Sequence, residues 1–253
     1  MLDFSNQNAD RFLTLLDNYG VKYYDLRKNL HDQGMNHHEA FFRTDHHWKP
    51  ESGLWAAGET LKILRDNYNW PVNPEILNPE NFDYVIYRNW FLGSQGKKIK
   101  LVRTKPDDIS LIYPKFETSF IYEIPTSAIN KTGDFAIIYS MESIQTHDYY
   151  NLNSYAAYDY ADQPLIKFTN LLTSCDKKLL VIHESFANCV LPFLALDIKN
   201  VAEIDLRHFT GSLRNYITSE RPDIVIVMYY ATVPGRSSKP NASKTDKKFF
   251  DFR

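Results

Sequence analysis

The stretch FFRTDHHWKPESGLWAA, residues 41–57, places an acid, two histidines and a tryptophan in a row just before a segment with helical periodicity. If the backbone is extended here, residues i and i+2 point to the same side. Asp45 can then accept a hydrogen bond from the Nδ1–H of His47, which leaves Nε2 available as a base, while His46 faces the opposite way. The spacing therefore predicts an Asp–His pair of the kind that activates a nucleophile.

A serine later in the chain is the predicted nucleophile. In KLLVIHESFANCVLPF, Ser185 lies where a predicted parallel strand gives way to a helix. Active sites of open α/β sheets lie at the carboxyl ends of strands, and the N–H groups at the start of a helix favour an oxyanion. A serine at such a junction is more often only a helix cap, and the stretch lacks the G-x-S-x-G motif. Ser185, His47 and Asp45 are thus the predicted catalytic residues.

The oxyanion donors and a metal site are the open questions around these residues. The N–H groups of Ser185 and Phe186 are the expected oxyanion donors, with Gly93 and Asn188 as further candidates. Gly93 could instead be a plain turn glycine, and Asn188 a helix-surface amide. A metal bound by Asp45 and its two neighbouring histidines is the main alternative. The sequence offers no second motif that completes a metal shell, so we expect neither a metal nor another cofactor.

The elements that must position these residues follow from hydrophobic periodicity. Helices are predicted at residues 8–20, from Pro50 onward, and at 185–196 and 211–219. Strands are predicted at 21–26, 178–183, 201–206 and 223–230, and the last three alternate with helices, which implies parallel strands with crossovers. Short β-branched and aromatic runs separated by turn residues predict antiparallel strands at 84–88, 99–104, 109–114, 119–124 and 135–140. We expect one α/β domain over residues 1–253, with a β-rich insertion at about 73–140 and a loosely ordered tail over 235–253.

Composition excludes some classes of function. The 253-residue chain is 43% hydrophobic and 24% charged with a formal net charge of -2, so it can form a full core and has no electrostatic reason to bind nucleic acid. Cys175 and Cys189 have neither a disulfide framework nor a metal-ligand spacing. No apolar run reaches the roughly 18 residues of a membrane span, and the N-terminus lacks the features of a signal peptide.

Four further blocks of sequence, together with the opening stretch FFRTDHHWKPESGLWAA, resemble a known protein family. WFLGSQGKK, DDISLIYPKFET, KKLLVIHESFANCVLPFLA and IDLRHFTGSLRNYI follow it in order, within about residues 20 to 230. Together the blocks resemble the DHHW protein family, which is similar to the SGNH-hydrolase-like alginate O-acetyltransferases. Those enzymes carry an Asp-x-His-Trp motif well before a catalytic serine. Asp45 and His47 match the pair, Ser185 matches the serine, and Glu184 stands where relatives carry Asp.

The resemblance implies an SGNH-hydrolase-like parallel sheet with flanking helices and the β-rich insertion. It also implies a serine esterase or O-acyltransferase that acts on acetyl groups of a cell-surface or extracellular polysaccharide. By this resemblance, the partners of the protein would be the carbohydrate and an acyl donor, and a membrane-associated partner is possible in the same reaction. The protein would be extracellular or located at the cell surface. Relatives begin with an anchor or signal and additional α/β material, so we expect an N-terminally truncated chain. The alternative is a non-catalytic carbohydrate-binding or cell-surface module with a degenerate site. The acyl donor, the glycan, the direction of transfer and the oligomeric state stay open.

Overall fold

The computed structural model describes residues 4–237, 243–244 and 246–253. The α-helices are α1 (Ser5–Asn18), α2 (Leu26–Asp32), α3 (His37–Ala40), α4 (Pro50–Tyr68), α5 (Ser94–Ile99), α6 (Leu191–Leu194), α7 (Leu213–Glu220) and α8 (Val233–Ser237). Single turns of 3-10 helix lie at Pro74–Leu77, Pro79–Asn81, Pro125–Ser127, Phe135–Ile138, Met141–Ser143, Ser154–Ala157, Ser185–Cys189 and Asp246–Phe250. In this part of the chain, no helix combines the length and apolarity needed to cross a membrane.

Two sheets are present in the described residues. The strands are β1 (Phe82–Phe91), β2 (Asp107–Pro114), β3 (Phe120–Ile124), β4 (Ile129–Gly133), β5 (Leu165–Asn170), β6 (Lys178–His183), β7 (Asn200–Asp205) and β8 (Ile224–Met228). β1 and β2 form an antiparallel pair by themselves, whereas the other six form one sheet in the order β4-β3-β5-β7-β6-β8. β7, β6 and β8 are parallel, and β5, β3 and β4 extend the sheet beyond β7, each strand antiparallel to its neighbour. The architecture is therefore the expected α/β fold, with a mixed sheet.

Alternate residues of β6 are buried on opposite faces of the six-stranded sheet. Leu179 and Val181 belong to the larger core, which also holds the apolar side of α4 and most of α6. Leu180 and Ile182 pack in a smaller cluster with Leu213 of α7. A strand covered on both faces gives a continuous apolar run, which is why the sequence predicts β6 so well.

Helix α4 carries the DHHW segment onto the turn that contains Ser185. It begins at Pro50, directly after that segment, and it packs against the 3-10 turn Ser185–Cys189. At Gly53 the two backbones nearly touch, because a Cβ there would overlap the Cys189 carbonyl oxygen and come within 2.6 Å of its Sγ. A glycine at this crossing lets α4 lie directly on the turn.

Several local predictions are wrong. Residues 21–25 lack regular structure, and Asp25 caps α2 where a strand was expected. Residues 99–104 hold the end of α5 and a turn, and residues 135–138 form a 3-10 helix. Conversely, β4 and β5 were not predicted as strands. Short apolar runs do not distinguish a strand from a buried turn, so tertiary packing decides them.

The predicted loose tail lies partly outside the described residues, since 238–242 and 245 are not among them. The described part is ordered against the domain. Phe249 is 1% exposed, and its carbonyl oxygen accepts a hydrogen bond of 2.5 Å from the Tyr229 hydroxyl. The expectation of a loosely ordered end is therefore wrong for residues 246–250.

Candidate active site

The DHHW segment forms a tight bend. Phe41 and Trp48 pair as an isolated antiparallel bridge, and the Phe42 N–H donates to the His47 carbonyl at 3.0 Å. The chain between these ends bends at residues 43–47, so the extended backbone assumed from the sequence is wrong. Asp45 and His47 still meet, because the Asp45 side chain accepts both the backbone N–H of His47, at 3.1 Å, and its ring nitrogen. A side chain that bonds two residues ahead is typical of Asp in turns.

Asp45 is a buried carboxylate with several donors. Its Oδ1 lies 2.5 Å from His47 Nδ1, and its Oδ2 accepts the Ser94 N–H at 2.6 Å. Burial alone would raise the pKa of Asp45, but the hydrogen bond and charge of His47, with the Ser94 amide, hold the pKa well below its usual range. The group is therefore ionised and fixes the His47 tautomer with Nδ1 protonated.

His47 and Ser185 complete the constellation predicted from the sequence. His47 Nε2 lies 2.7 Å from Ser185 Oγ, although the two residues are 138 positions apart. His47 is buried, whereas Ser185 is half-buried and reaches solvent. The arrangement has the connectivity of a Ser–His–Asp triad, with a half-buried serine at its end. The catalytic roles themselves stay predictions.

His46 does not face away from the pair, so that expectation is wrong. Its ring lies 4.0 Å from the His47 ring, centroid to centroid, and its Nδ1 is 3.4 Å from Asp45 Oδ1. The side chain is 40% exposed and also contacts Ser94 Oγ at 3.4 Å. The bend, rather than an extended strand, places both imidazoles beside one carboxylate. His46 therefore forms part of the rim of the site.

The two predicted oxyanion donors, the N–H groups of Ser185 and Phe186, differ in their hydrogen-bond partners. The Phe186 N–H donates to Glu184 Oε2 at 3.3 Å, so the side chain before the serine already engages it. The N–H of Ser185, the first residue of its 3-10 turn, has no acceptor in the described part of the chain. Burial raises the pKa of Glu184 to about 7, despite the nearby charge of Arg207. Of the two predicted donors, the structure leaves the Ser185 N–H for an oxyanion.

Gly93 lies behind Asp45, where a Cβ would come within 2.6 Å of Asp45 Oδ2. Its N–H donates to Thr44 Oγ1 at 3.0 Å. Gly93 is thus a close-approach glycine that makes room for the carboxylate and presents the Ser94 N–H to it, and its role as an oxyanion donor stays a prediction.

Asn188 is 2% exposed, and its Nδ2 donates to Asp162 Oδ1 at 3.2 Å. The prediction of a helix-surface amide is wrong, because residues 186–189 of this turn are buried. The amide oxygen of Asn188 has no partner among the described residues. Nothing in this geometry gives the side chain an oxyanion role.

Two aromatic residues that sequence reasoning did not assign to the site hold the serine turn. The Trp48 indole N–H donates to the Phe186 carbonyl at 2.7 Å. The Tyr155 hydroxyl donates to the Ser185 carbonyl at 3.0 Å, and the Tyr155 ring stacks on His47 with centroids 4.4 Å apart. The position of Trp48 in the DHHW motif was a signal for the first contact. Tyr155 lies in a stretch without periodicity, so no local signal points to it.

A second set of buried polar groups lies at the same end of the sheet. We call it the buried carboxyl cluster: Asp159, Glu203, His183 and Tyr122. His183 Nε2 is 3.6 Å from Glu203 Oε2, and neither carboxyl group of the cluster has a hydrogen-bond partner among the described residues. Burial raises the pKa of Asp159 and of Glu203 well above the usual range, and the charge of Glu203 adds to the shift at Asp159. Burial therefore favours the neutral form of both acids.

Two groups of side chains in the described residues bring three metal-ligand atoms within 4.8 Å of one another: Asp45, His46 and His47, and Asp162, Asp205 and His208. In the second group the Arg207 guanidinium already binds Asp205 at 2.5 Å and Asp162 at 2.9 Å. In the first, a metal would have to displace the 2.5 Å hydrogen bond between Asp45 and His47. The metal alternative is thus a matter for a chelation experiment.

Part of the chain matches a known protein family, and most of it matches the fold of solved structures. Residues 1–75 match the family described as SGNH hydrolase-like domain, acetyltransferase AlgX. That match includes Asp45 and His47 and ends before Ser185. No curated protein sequence matches the chain.

Solved structures give the same fold. The chain is similar to PatB1 of Bacillus cereus, in a structure with a sulfonyl adduct, at a TM-score of 0.73 and 18% identity, covering 97% of this chain and 76% of that one. A second structure of PatB1 matches at a TM-score of 0.66 and 19% identity, over 98% of this chain and 78% of that one. A DHHW family protein from Eubacterium siraeum matches at a TM-score of 0.61 and 16% identity, over 84% of this chain. The chain spans only 64% of the length of that DHHW protein. The predicted resemblance to DHHW and SGNH-hydrolase-like acetyltransferase proteins is confirmed, at the level of fold.

Proposed function

We propose that this chain is an SGNH-hydrolase-like serine O-acyltransferase or esterase that acts on acetyl groups of a cell-surface or extracellular polysaccharide. The observation that carries the proposal is the continuous hydrogen-bonded path from Asp45 through His47 to a half-buried Ser185 that is not sealed in the core. A sealed polar network would have favoured a non-catalytic module. The match of residues 1–75 to an acetyltransferase domain supports acetyl as the transferred group.

The proposed mechanism has two steps. Ser185 Oγ attacks the acyl carbonyl while His47 Nε2 takes the hydroxyl proton, and Asp45 stabilises the imidazolium that forms. The Ser185 N–H donates to the oxyanion. The donor alcohol then leaves with the proton from His47, and an acetyl-serine remains. In the second step His47 takes the proton of a sugar hydroxyl in a transferase, or of water in an esterase, while that oxygen attacks the acetyl-serine. The bond from the acetyl carbon to Ser185 Oγ then breaks, and His47 returns the proton to Ser185 Oγ.

Labelling the nucleophile tests the proposal directly. The protein is incubated with a serine-directed acyl phosphonate, and the adduct is located by mass spectrometry. We expect one adduct, on Ser185, and none in Ser185→Ala. Hydrolysis of p-nitrophenyl acetate is measured in parallel, and cell-envelope oligosaccharides are added to detect acetyl transfer by the mass of the product. Stable labelling of another residue, or full turnover by Ser185→Ala, contradicts the mechanism.

The two neighbouring histidines provide a matched control. His47→Ala should remove nearly all turnover, because the base is lost. His46→Ala should lower turnover by no more than about threefold, since its ring packs beside His47 and Asp45 but does not take the serine proton. Chelators should leave turnover unchanged. Loss of activity that zinc or manganese restores would replace the serine mechanism with a metal-activated water.

A further inference from the structure

Tyr155 contacts both halves of the candidate active site. The residue lies in the 3-10 turn Ser154–Ala157 and is 2% exposed. Its ring is nearly parallel to the His47 imidazole, at an interplanar angle of 20° and a centroid distance of 4.4 Å. Its hydroxyl donates to the Ser185 carbonyl at 3.0 Å and lies 3.3 Å from Cys189 Sγ. One side chain thus touches the base and the backbone of the nucleophile.

The hydrogen bond to the Ser185 carbonyl fixes more than one atom. The peptide unit is planar, so the carbonyl of Ser185 and the N–H of Phe186 turn together. The Tyr155 hydroxyl therefore sets the direction of the Phe186 N–H, which is held on the other side by Glu184 Oε2 at 3.3 Å. Burial raises the pKa of Tyr155 well above its ordinary value, which means that the hydroxyl keeps its proton and stays a donor.

The two catalytic halves need such a link because they come from distant parts of the chain. His47 lies in the bend before α4, and Ser185 lies after β6, 138 residues later. Small displacements between a base and its nucleophile cost large factors in rate. Stacking restricts the tilt of the imidazole, and the hydroxyl restricts the serine turn. A single rigid ring therefore limits motion of one half relative to the other.

We propose that Tyr155 is a positioning residue that couples the orientation of the His47 imidazole to that of the Ser185 turn. The inference rests on the proposed function, since it assigns Tyr155 a part in the same reaction. The orientation of the His47 imidazole that it predicts can be measured without substrate.

Tyr158 is the matched control for a test of this role. It is a fully buried tyrosine three residues further on, and its hydroxyl donates to the Ser110 carbonyl at 2.9 Å instead of to the site. Tyr155→Phe, Tyr155→Leu and Tyr158→Phe are compared with the wild type. The readouts are kcat and KM on p-nitrophenyl acetate, thermal unfolding, and the NMR resonance of the His47 Nδ1–H.

Removal of the hydroxyl alone, in Tyr155→Phe, should lower kcat about tenfold, as for the loss of one oriented hydrogen bond, with KM unchanged and the His47 resonance still sharp. Tyr155→Leu also removes the stack, so kcat should fall about tenfold further and the His47 resonance should broaden. Tyr158→Phe should lower thermal stability as much as Tyr155→Phe does, because each loses one buried hydrogen bond, and it should leave kcat and the His47 resonance as in the wild type.

The outcomes separate the two proposals. If Tyr155→Phe and Tyr158→Phe lower kcat equally, in step with their loss of thermal stability, Tyr155 is a structural residue and the inference fails. If the wild type shows no turnover but Tyr155→Leu still broadens the His47 resonance, the proposed function fails while the positioning role stands. A sharp, unshifted His47 resonance in Tyr155→Leu overturns the positioning role whatever the activity.

Discussion

The pKa values of two sets of buried acids, Asp45 on one side and Asp159 and Glu203 on the other, are shifted in opposite directions. Asp45 is held by His47 and by the Ser94 N–H, and its pKa lies below the usual range although burial opposes this. Asp159 and Glu203 are at least as deeply buried and have no hydrogen-bond partner in the described residues, and their pKa values are raised. Burial is common to both sets, so the donors decide which carboxyl group is charged.

Glu184 is intermediate between the two. One of its oxygens accepts the Phe186 N–H, the other has no partner among the described residues, and its pKa is raised to about 7. The pKa shift thus follows the number of donors. The pKa is lowered at Asp45, raised to about 7 at Glu184, and raised well above the usual range at Asp159 and Glu203. In the proposed mechanism only the ionised acid, Asp45, contacts the base, which is what stabilisation of an imidazolium requires.

Asp45→Asn should have the largest effect on activity. An amide can hold the wrong His47 tautomer, so kcat should fall by about 10³–10⁴-fold. The same substitution in the buried carboxyl cluster, Asp159→Asn, should change kcat by less than about threefold, because an amide resembles the neutral acid already there. Hydrolysis of p-nitrophenyl acetate by folded variants measures both. Equal losses of kcat in the two variants would mean that Asp45 and Asp159 do not differ in charge.

Gly93→Ala should come next, with a loss of about 100-fold in kcat. The added Cβ meets the Asp45 side chain, with Oδ2 at 2.6 Å, and must displace the carboxylate or the Ser94 N–H that holds it. Gly58→Ala is the control, since Gly58 lies in α4 and a Cβ there has no neighbour within 4 Å. It should leave kcat unchanged and stabilise the helix by about 0.5–1 kcal/mol. If Gly93→Ala retains full activity, the donors on Asp45 are not held by this close approach.

Glu203→Gln should change how stability depends on pH. The folded pKa of Glu203 is raised, so as pH rises above about 4 the unfolded chain loses the proton while the native state keeps it, and the free energy of unfolding falls. The amide cannot ionise. We therefore expect the variant to match the wild type near pH 4 and to be more stable by about 1–2 kcal/mol near pH 8.

Urea unfolding at the two pH values measures this difference. Glu117→Gln, at an exposed position, should follow the wild type at both. If Glu203→Gln is instead less stable than the wild type at pH 8, the carboxylate is ionised and paired, and the contrast with Asp45 disappears.

Glu184→Gln should have the smallest effect. With a pKa of about 7, Glu184 gains a negative charge beside Ser185 as pH rises, and that charge disfavours a developing oxyanion. The kcat of the wild type should therefore decline by about threefold as pH rises through about 7, and the variant should lack this decline. A pH–kcat profile of each protein decides it. Identical profiles would remove Glu184 from the group of acids that sense pH near the site.

Much of the site could be predicted from the sequence because its parts are local. Asp45 and His47 are two residues apart, and Ser185 follows a continuous apolar strand, so type and spacing make them candidates, which the family resemblance then brings together. The premise about the backbone was wrong, yet the pairing does not depend on it. Either an extended chain or a bend can bring an Asp side chain to a residue two positions ahead. The same locality accounts for the correct prediction of β6, β7 and β8.

The tertiary structure decided what depends on contacts between distant residues. Gly93 looks like a turn glycine until Asp45 is seen against it, and Asn188 looks like a surface amide until the core covers it. Tyr155 has no local signal at all, because its partners His47 and Ser185 are 108 positions before it and 30 after it. Sequence by itself determined which side chains could react. Their donors, burial and charge were decided by packing, since a pKa or an oriented hydrogen bond depends on neighbours that only the folded chain brings together.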